Sequence, residues 1–341
     1  MKRCSLLFAL LGGLVGGLLF SQLYDRYLCP EACFYSRAAD ASDAWAAQLR
    51  QSDAPCIIWA GGSELRAGID PKQLADGYGI RSVNAAGQAG FGMPANLSLA
   101  LPYLKEGDTL IFSCLGLDEI YPSGAKFAWQ RAGWSLFDSG LVPCNAETLR
   151  KIFCGNSGEF SMHLSKRLVH PLQAPYKYDN IAEIHPSGWM EVHSDELKGT
   201  APSTVGRLDG ATLPPLSEGY VRNIKTLKAY CEARGVKLAC MMPVFYTRTE
   251  DRPLKAWLVL QHLELGIPVL HDDRLGCEEN VNYFSDFGGH LNAAGVAVQT
   301  RILGRALKEN DWWSRAEIVS YLRLRGWDEN GRWVYSRRSL W

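Results

Sequence analysis

Residues 56–70 read CIIWAGGSELRAGID and contain the pattern from which the fold is predicted. The first five residues are apolar and are followed at once by Gly61 and Gly62, which is typical of a buried strand that ends in a tight turn. Four more short apolar runs follow along the chain, at residues 80–83, 109–114, 236–242 and 267–270. Such short, fully apolar strands predict a parallel sheet whose two faces are both covered by helices.

Helical patterns occur between the predicted strands. Residues 220–231 carry apolar side chains four, three and four positions apart, after Ser217 as a predicted N-cap and before Gly235 as a predicted end. A final helix is predicted to begin at Asn292 as its N-cap, with apolar side chains along one face. The predicted fold class is therefore α/β, a doubly wound, flavodoxin-like fold with a five-stranded parallel sheet.

Length and composition restrict the class of protein. The chain has 341 residues, of which 47% are hydrophobic and 21% are charged, and this predicts folded domains with a substantial core. Lysine and arginine together number 36, and so do aspartate and glutamate, so there is no basic excess to attract a nucleic acid. The ten cysteines form no CxxC pair and no Cys/His cluster at zinc spacing. We therefore expect no nucleic-acid partner, no metal site and no cofactor.

The N-terminal residues are typical of a membrane anchor. Lys2 and Arg3 precede an uncharged run at residues 6–23, which is long enough to cross a bilayer as a helix. No small-x-small cleavage site follows the run, so an uncleaved anchor over residues 1–25 is favoured over a cleaved signal sequence. The basic residues stay in the cytoplasm by the positive-inside rule, so the rest of the chain is predicted to be periplasmic or otherwise extracytoplasmic. Two neighbouring cysteine pairs would then be candidate disulfides, Cys29 with Cys33 and Cys144 with Cys154.

The rest of the chain divides into several predicted segments. A polar connector at residues 26–54 leads into the α/β domain, which covers residues 55–310. Within that domain, residues 121–215 follow the third strand, are too many for a simple crossover, and are predicted to form an inserted cap. A Trp-rich C-terminal extension covers residues 311–341, with an Asn-Gly hairpin turn at 330–331.

Polar residues follow the predicted strands at the sheet edge where open α/β folds bind ligands. Ser63 follows the first strand, and Asp286 and His290 come just before the last helix. A serine hydroxyl becomes a good nucleophile when a histidine takes its proton, and a carboxylate fixes the tautomer of that histidine. Ser63, His290 and Asp286 are therefore the candidate catalytic residues. The candidate oxyanion and substrate-binding residues follow the second and third strands, and they are Gly87, Gly90, Asp118 and Glu119.

A serine follows the first strand, glycines follow the second, polar residues follow the third, and an Asp-His pair comes near the C-terminus. This order resembles that of the SGNH/GDSL hydrolase superfamily, over roughly residues 55–120 and 235–308. The motifs GGSELRAGIDP, LKEGDTLIF and YFSDFGGHLNAAG are similar to those of membrane-anchored SGNH-like proteins associated with bacterial exopolysaccharide synthesis and acylation. The resemblance implies O-acyl transfer or ester hydrolysis on an extracytoplasmic glycan. It also implies Ser63 as nucleophile, Gly90 as oxyanion glycine, and Asp286 and His290 as acid and base.

The chain departs from the superfamily pattern at three places. Gly116, Leu117, Asp118 and Glu119 stand where the superfamily has Gly-x-Asn-Asp, so the side-chain oxyanion donor is missing. An ionised Asp118 would repel an oxyanion and could donate to it only if protonated. Asp286 and His290 are four residues apart rather than three, and GGSE replaces GDS at the serine.

Two functions are consistent with these residues. The first is an O-acyltransferase or esterase that acts on a polysaccharide or cell-envelope glycan through a Ser-His-Asp triad. The alternative is a catalytically inactive SGNH-like scaffold that binds glycan or partner proteins in exopolysaccharide assembly. In either case the expected partners are a glycan and the membrane, through one N-terminal helix, and an acyl-donor membrane protein is a candidate further partner.

Overall fold

The computed structural model describes residues 30–114, 119–153, 177–194, 196–203, 213–286 and 288–334, together with Gly12 and Gly16. Its strands are β1 (Ile57–Ala60), β2 (Ser82–Asn84), β3 (Thr109–Ser113), β4 (Ala182–Ile184), β5 (Met190–Val192), β6 (Lys237–Met241), β7 (Phe245–Tyr246) and β8 (Cys277–Glu278). Its α-helices are α1 (Pro30–Leu49), α2 (Ser63–Gly68), α3 (Pro71–Tyr78), α4 (Met93–Ala100), α5 (Pro122–Ala132), α6 (Ala146–Phe153), α7 (Lys177–Ile181), α8 (Glu218–Glu232), α9 (Arg252–Glu264), α10 (Ala293–Glu309) and α11 (Arg315–Leu324).

Four parallel strands form the central sheet, in the order β2-β1-β3-β6. Ile57 of β1 lies opposite Ser82 of β2 and Thr109 of β3, and Thr109 in turn lies opposite Lys237 of β6. β1 therefore has a neighbouring strand on each side. Because the four strands are parallel, their carboxyl ends lie along one edge of the sheet, with the end of β1 between those of β2 and β3. These strands confirm the first four predicted runs and a mixed α/β structure with a parallel sheet.

The fifth predicted strand, residues 267–270, does not form as a strand. The chain makes one parallel bridge there, between Cys240 and Val269. The Cys240 amide donates to the Pro268 carbonyl at 2.9 Å, and the Leu270 amide donates to the Cys240 carbonyl at 2.9 Å. Pro268 has no N–H and cannot extend a ladder, and Leu270 already pairs in the antiparallel sense with Trp312. The observed sheet therefore has four strands rather than the predicted five.

Both faces of the sheet are buried, because alternate side chains of each strand enter two different apolar clusters. Ile58 and Phe112 point to one cluster, which includes residues of α4, α8 and α9. Trp59 and Ile111 point to the other cluster, which includes residues of α3 and α10. All four side chains are fully buried, and each such burial stabilises the fold by about 1.5–3 kcal/mol. Helices on both faces hold the carboxyl ends of the strands in fixed positions.

Two predicted helices form where their capping residues indicate. The side chain of Ser217 accepts a hydrogen bond from the Tyr220 amide at the start of α8, and Gly235 beyond its end has a positive φ of 64°. The side chain of Asn292 accepts a hydrogen bond from the Gly295 amide at the start of α10. The N-cap of α10 therefore lies two residues after His290, which fixes the segment that carries this histidine.

The residues between β3 and α8 contain α5, α6, α7 and an antiparallel hairpin formed by β4 and β5. The turn of this hairpin packs on α2, the short helix that begins at Ser63. The Trp189 indole N–H donates to the Ala67 carbonyl at 2.9 Å, and the Ser187 hydroxyl donates to Asp70 at 2.8 Å. The segment predicted as an inserted cap thus contacts the helix that carries the candidate nucleophile.

The N-terminal prediction falls mostly outside the described residues. Of residues 1–25, only Gly12 and Gly16 are described, and both are helical. No helix in the described part of the chain is both long enough and apolar enough to cross a membrane. The predicted connector contains the 20-residue helix α1, in which Trp45 donates to the Ser82 carbonyl of β2 at 2.9 Å. Alanine-rich composition favours such a helix, and it covers the outer edge strand of the sheet.

The described part of the C-terminal extension packs on the α/β domain. Trp327 and Trp333 form an antiparallel bridge, with ring centroids 5.1 Å apart. Between them, Gly331 has a φ of 71° and its amide donates to the Asp328 carbonyl at 3.1 Å, which confirms the predicted turn. Trp327 is buried in the main apolar cluster. Both predicted disulfides lie partly outside the described residues, because Cys29 and Cys154 do.

Candidate active site

Ser63 is the first residue of α2 and follows β1 after only two glycines. A side chain at Gly61 would place its Cβ 3.0 Å from the Ser113 Cβ, and one at Gly62 would place its Cβ 3.0 Å from the Ala89 backbone nitrogen. The two glycines therefore let the end of β1 pass close to β3 and to the loop after β2. This close approach holds Ser63 at the carboxyl edge of the sheet.

The structure brings the three candidate catalytic residues together. Ser63 Oγ lies 2.9 Å from His290 Nε2, and His290 Nδ1 lies 2.9 Å from Asp286 Oδ1. All three residues are buried, although the serine and the histidine are 227 positions apart in the chain. The Ser285 amide donates to the His290 carbonyl at 3.0 Å, and this bond holds Asp286 and His290 close to each other. The carboxylate therefore reaches the imidazole despite the four-residue spacing.

Two residues from α7 complete the surroundings of the carboxylate. Lys177 Nζ donates to Asp286 Oδ2 at 2.7 Å, and the Tyr178 hydroxyl donates to the same oxygen at 2.8 Å. The Tyr178 hydroxyl also lies 3.2 Å from His290 Nδ1. Sequence reasoning missed both residues, because they lie more than a hundred positions before Asp286 and no local pattern connects them to it. They act on the triad by positioning and stabilising its carboxylate.

These contacts determine the charge on the carboxylate. Burial alone would raise the pKa of Asp286, but hydrogen bonds from His290, Lys177 and Tyr178 outweigh burial and hold that pKa well below its usual range. Burial and the hydrogen bond to Asp286 raise the pKa of Tyr178, so its hydroxyl stays protonated and donates. An ionised Asp286 accepts a hydrogen bond from His290 Nδ1–H, and in this tautomer Nε2 accepts a hydrogen bond from the Ser63 hydroxyl. This is the protonation state that a general base requires.

The predicted oxyanion residues fall in different surroundings. The Gly87 amide donates to the Gly61 carbonyl at 2.8 Å, so this N–H is already used within the fold. Gly90 is exposed in a short 3-10 helix at Ala89–Phe91. Glu119 is also exposed, and Asp118 lies outside the described residues. The Gly87 amide is therefore not available to an oxyanion, and the oxyanion roles of Gly90 and Asp118 stay predictions.

Glu64 lies next to Ser63 on the turn after β1, and the sequence did not indicate a role for it. Its Oε1 accepts a hydrogen bond from the Gly62 amide at 2.9 Å, beside the serine. Burial raises the pKa of the Glu64 carboxyl, and hydrogen bonds from its own amide, from Gly62 and from Ser113 oppose that rise. The acidic residue in GGSE thus folds back onto the turn that carries the candidate nucleophile.

Arg66 anchors α2 from inside the protein. Its buried guanidinium donates to Ser42 Oγ and to the carbonyls of Asn84 and Gly188, each at 2.9 Å, and also to the Ala86 carbonyl. Burial lowers the pKa of Arg66 to about 10. One side chain therefore joins α2 to α1, to the end of β2 and to the β4–β5 turn, and so fixes the helix that begins at Ser63.

One buried group in the described part of the chain has side chains of the kind that bind metals: Cys114, Cys240 and His262. The two sulfur atoms are 3.2 Å apart, closer than the roughly 3.8 Å that two thiolates keep on a tetrahedral zinc ion. His262 Nε2 lies 3.0 Å from the Tyr220 hydroxyl, and Nδ1 lies 2.7 Å from the Leu258 carbonyl. The spacing of the sulfur atoms and the hydrogen bonds of the imidazole fit a packed polar cluster better than a zinc site.

Comparison with known proteins adds no relative to this description. The chain matches no family model, no curated protein and no solved structure. Function is therefore inferred from the geometry of Ser63, His290 and Asp286 and from the side chains around them.

Proposed function

We propose that the chain is an extracytoplasmic, SGNH-like O-acyltransferase or esterase that acts on a polysaccharide or another cell-envelope glycan. The observation that carries the proposal is the hydrogen-bonded series from Ser63 through His290 to Asp286, with 2.9 Å at each step. The series lies at the carboxyl edge of a parallel sheet, where open α/β folds bind ligands. A buried, ionised carboxylate hydrogen-bonded to the imidazole supports a role for His290 as general base. A Ser-His contact on the protein surface would lack such a carboxylate.

The chemistry follows from these positions. Ser63 Oγ attacks the carbonyl carbon of the acyl group while its proton moves to His290 Nε2, and Asp286 stabilises the imidazolium that forms. The proton then passes to the departing alcohol oxygen, which leaves the acyl group on Ser63. Water, or a hydroxyl of the acceptor glycan, loses a proton to His290 and attacks the carbonyl carbon of the acyl-serine. As the bond from that carbon to Ser63 Oγ breaks, His290 returns the proton to Ser63 Oγ and the serine is regenerated. Water as the second nucleophile gives hydrolysis, and a glycan hydroxyl gives transfer.

The finer fold and the location belong to the same proposal. Residues 267–270 contact β6 through one bridge, between Val269 and Cys240, and we infer that they occupy the position of a fifth strand in a flavodoxin-like order without forming its ladder. The apolar run at residues 6–23 supports one N-terminal membrane helix with the α/β domain outside the cytoplasm. An O-acyltransferase in that location would receive its acyl group from a membrane donor.

A scaffold that binds glycan or partner proteins is the second candidate function. It is favoured by the absence of an Asn at residues 116–119, where the superfamily has Gly-x-Asn-Asp. It is also favoured by the Glu64 carboxyl, which lies on the turn that carries Ser63. Burial raises the pKa of this carboxyl, and in its ionised form it would oppose negative charge on the substrate oxygen. The two candidates differ in whether Ser63 forms a covalent bond.

The test uses an O-acetylated polysaccharide with the full-length protein. Released acetate is followed by NMR, and acetyl groups moved to an added oligosaccharide are followed by mass spectrometry. We expect release or transfer with the wild-type protein and none with Ser63→Ala, whereas Ser320→Ala, at an exposed serine of α11, keeps wild-type activity. Retention of polysaccharide binding without any acetyl release or transfer would support the scaffold instead.

A further inference from the structure

A cavity of about 260 Å³ opens beside Ser63, between the carboxyl ends of β1 and β3 and the first two turns of α4. Gly62 and Glu64, the residues on either side of Ser63, both line it. Much of the remaining wall is apolar and comes from Met93, Leu97 and Phe245. The cavity therefore adjoins the turn that carries Ser63, on both sides of that residue in the chain.

The polar side chains of the cavity wall are engaged with the protein itself. The Asn96 amide nitrogen donates to the Gln88 carbonyl at 2.8 Å, and its oxygen accepts from the Gln88 amide at 3.2 Å. The Glu64 carboxyl accepts from the Gly62 amide and from the Ser113 hydroxyl. Because these groups are already paired, the surface that gains most from a ligand is the apolar wall. Apolar atoms fit this cavity better than the hydroxyl-rich ring of a sugar.

The volume limits the size of the ligand. An apolar protein cavity of about 150 Å³ holds one benzene molecule, so 260 Å³ has room for roughly ten non-hydrogen atoms. A long fatty acyl chain exceeds this space, whereas a short acyl chain fills part or all of it. Contact with the walls would hold the carbonyl carbon close to Ser63 Oγ.

We propose that this cavity is the acyl-binding pocket and that it selects short acyl groups of about two to eight carbons. This inference rests on the proposed function, because it assigns the cavity to the acyl group that Ser63 receives. In the acyl-serine, the new C–O bond joins the acyl carbonyl carbon to Ser63 Oγ, and the chain lies between Met93 and Leu97 on one side and Phe245 on the other. The glycan part of the substrate then stays outside the cavity.

Binding is tested without catalysis in the Ser63→Ala protein, with methyl propyl ketone as an uncleavable analogue of a butyryl ester. The full-length protein carries labelled methionine methyl groups, and Met93→Leu assigns the signal of Met93. We expect the Met93 signal to move in a saturable way as ketone is added. Leu97→Phe fills the cavity and should abolish the movement. The matched control Leu99→Phe makes the same change on the same helix but beside a different, smaller cavity, and should leave the movement intact.

An unmoved Met93 signal, or one that moves equally in Leu97→Phe and Leu99→Phe, would overturn the assignment of the cavity. The catalytic counterpart compares p-nitrophenyl acetate, butyrate, octanoate and palmitate. We expect little hydrolysis of palmitate, and in Leu97→Phe a fall of about tenfold or more in the rate for butyrate relative to acetate.

The two proposals can fail separately. Ketone binding at Met93 with no ester hydrolysed by the wild-type protein would contradict the proposed function and leave the cavity as an apolar binding site. Ester hydrolysis that depends on Ser63, with the same chain-length profile in Leu97→Phe and Leu99→Phe, would contradict the acyl pocket and leave the proposed function standing.

Discussion

Tyr178→Phe removes one hydroxyl that donates to the carboxylate of the triad. The lost hydrogen bond is 2.8 Å long, its acceptor is a buried, ionised oxygen, and such bonds to charged groups typically contribute about 1.5–3 kcal/mol. Lys177 still donates to the same oxygen, so we expect a loss near the lower end, about 1.5 kcal/mol in the free energy of unfolding at neutral pH. The matched control is Tyr321→Phe, because the Tyr321 hydroxyl has no hydrogen-bond partner among the described residues.

The pH dependence of this loss follows from the sign of the pKa shift. The pKa of Asp286 is depressed in the folded protein, so its contribution to stability is present above the unfolded pKa of about 4 and is lost as the pH falls through the folded pKa. Without the Tyr178 hydroxyl the folded pKa rises toward its ordinary value. Because the unfolded state titrates in the same way in both proteins, the stability difference between wild type and Tyr178→Phe should stay constant from neutral pH to below about pH 4 and shrink only as the pH falls through the depressed folded pKa values.

Urea unfolding at a series of pH values measures this difference, and the labelling rate of Ser63 by a phosphonate measures the effect on the triad. We expect Tyr178→Phe to label more slowly, by about tenfold, because the imidazole loses part of its fixed orientation. A loss of stability at pH 7 that is no larger than that of Tyr321→Phe, or one that already disappears between pH 7 and about pH 5, would refute the assigned role of the hydroxyl.

Three further changes have defined outcomes. Arg66→Leu leaves several buried acceptors without a donor and should lower the free energy of unfolding by about 3 kcal/mol or more, and an unchanged urea midpoint would contradict the anchoring of α2. Asp118→Asn should raise esterase turnover by about tenfold or more if this carboxylate occupies the oxyanion position, and no gain means that it lies elsewhere or has another role. If residues 1–25 form the single membrane helix, a C-terminal fusion to a reporter that works only outside the cytoplasm should be active. Activity of a reporter that works only in the cytoplasm would reject that topology.

Most of the sheet could be predicted because its strands are marked locally. Runs such as residues 56–60 are apolar throughout and end at glycine, so burial on both faces is visible without knowledge of the partner strands. The run at 267–270 has the same composition but contains Pro268, and the missing N–H leaves one bridge in place of a strand. Pro268 can be read from the sequence, and its missing N–H prevents a ladder although the neighbouring residues are apolar.

The candidate site could be predicted only where topology collects its residues. Ser63 follows a strand, and His290 precedes a helix cap. Both positions lie at the carboxyl edge of the sheet, so their proximity can be predicted without knowledge of how the intervening chain folds. The donors to Asp286 come from α7, within the long insertion, and the contacts of Arg66 join three separate elements. Such contacts depend on how the insertion packs on α2, and spacing along the chain carries no information about that packing.

The most direct test of the account is covalent labelling of Ser63. A serine-reactive phosphonate, read by intact mass, should add one equivalent to the folded wild-type protein and none to Ser63→Ala. His290→Ala should label at least about a hundredfold more slowly, because the hydroxyl keeps its proton without the imidazole at 2.9 Å. Equal labelling of Ser63→Ala and wild type, or no labelling of a wild-type protein that is folded by circular dichroism, would contradict the claim that Ser63 is a nucleophile activated by His290.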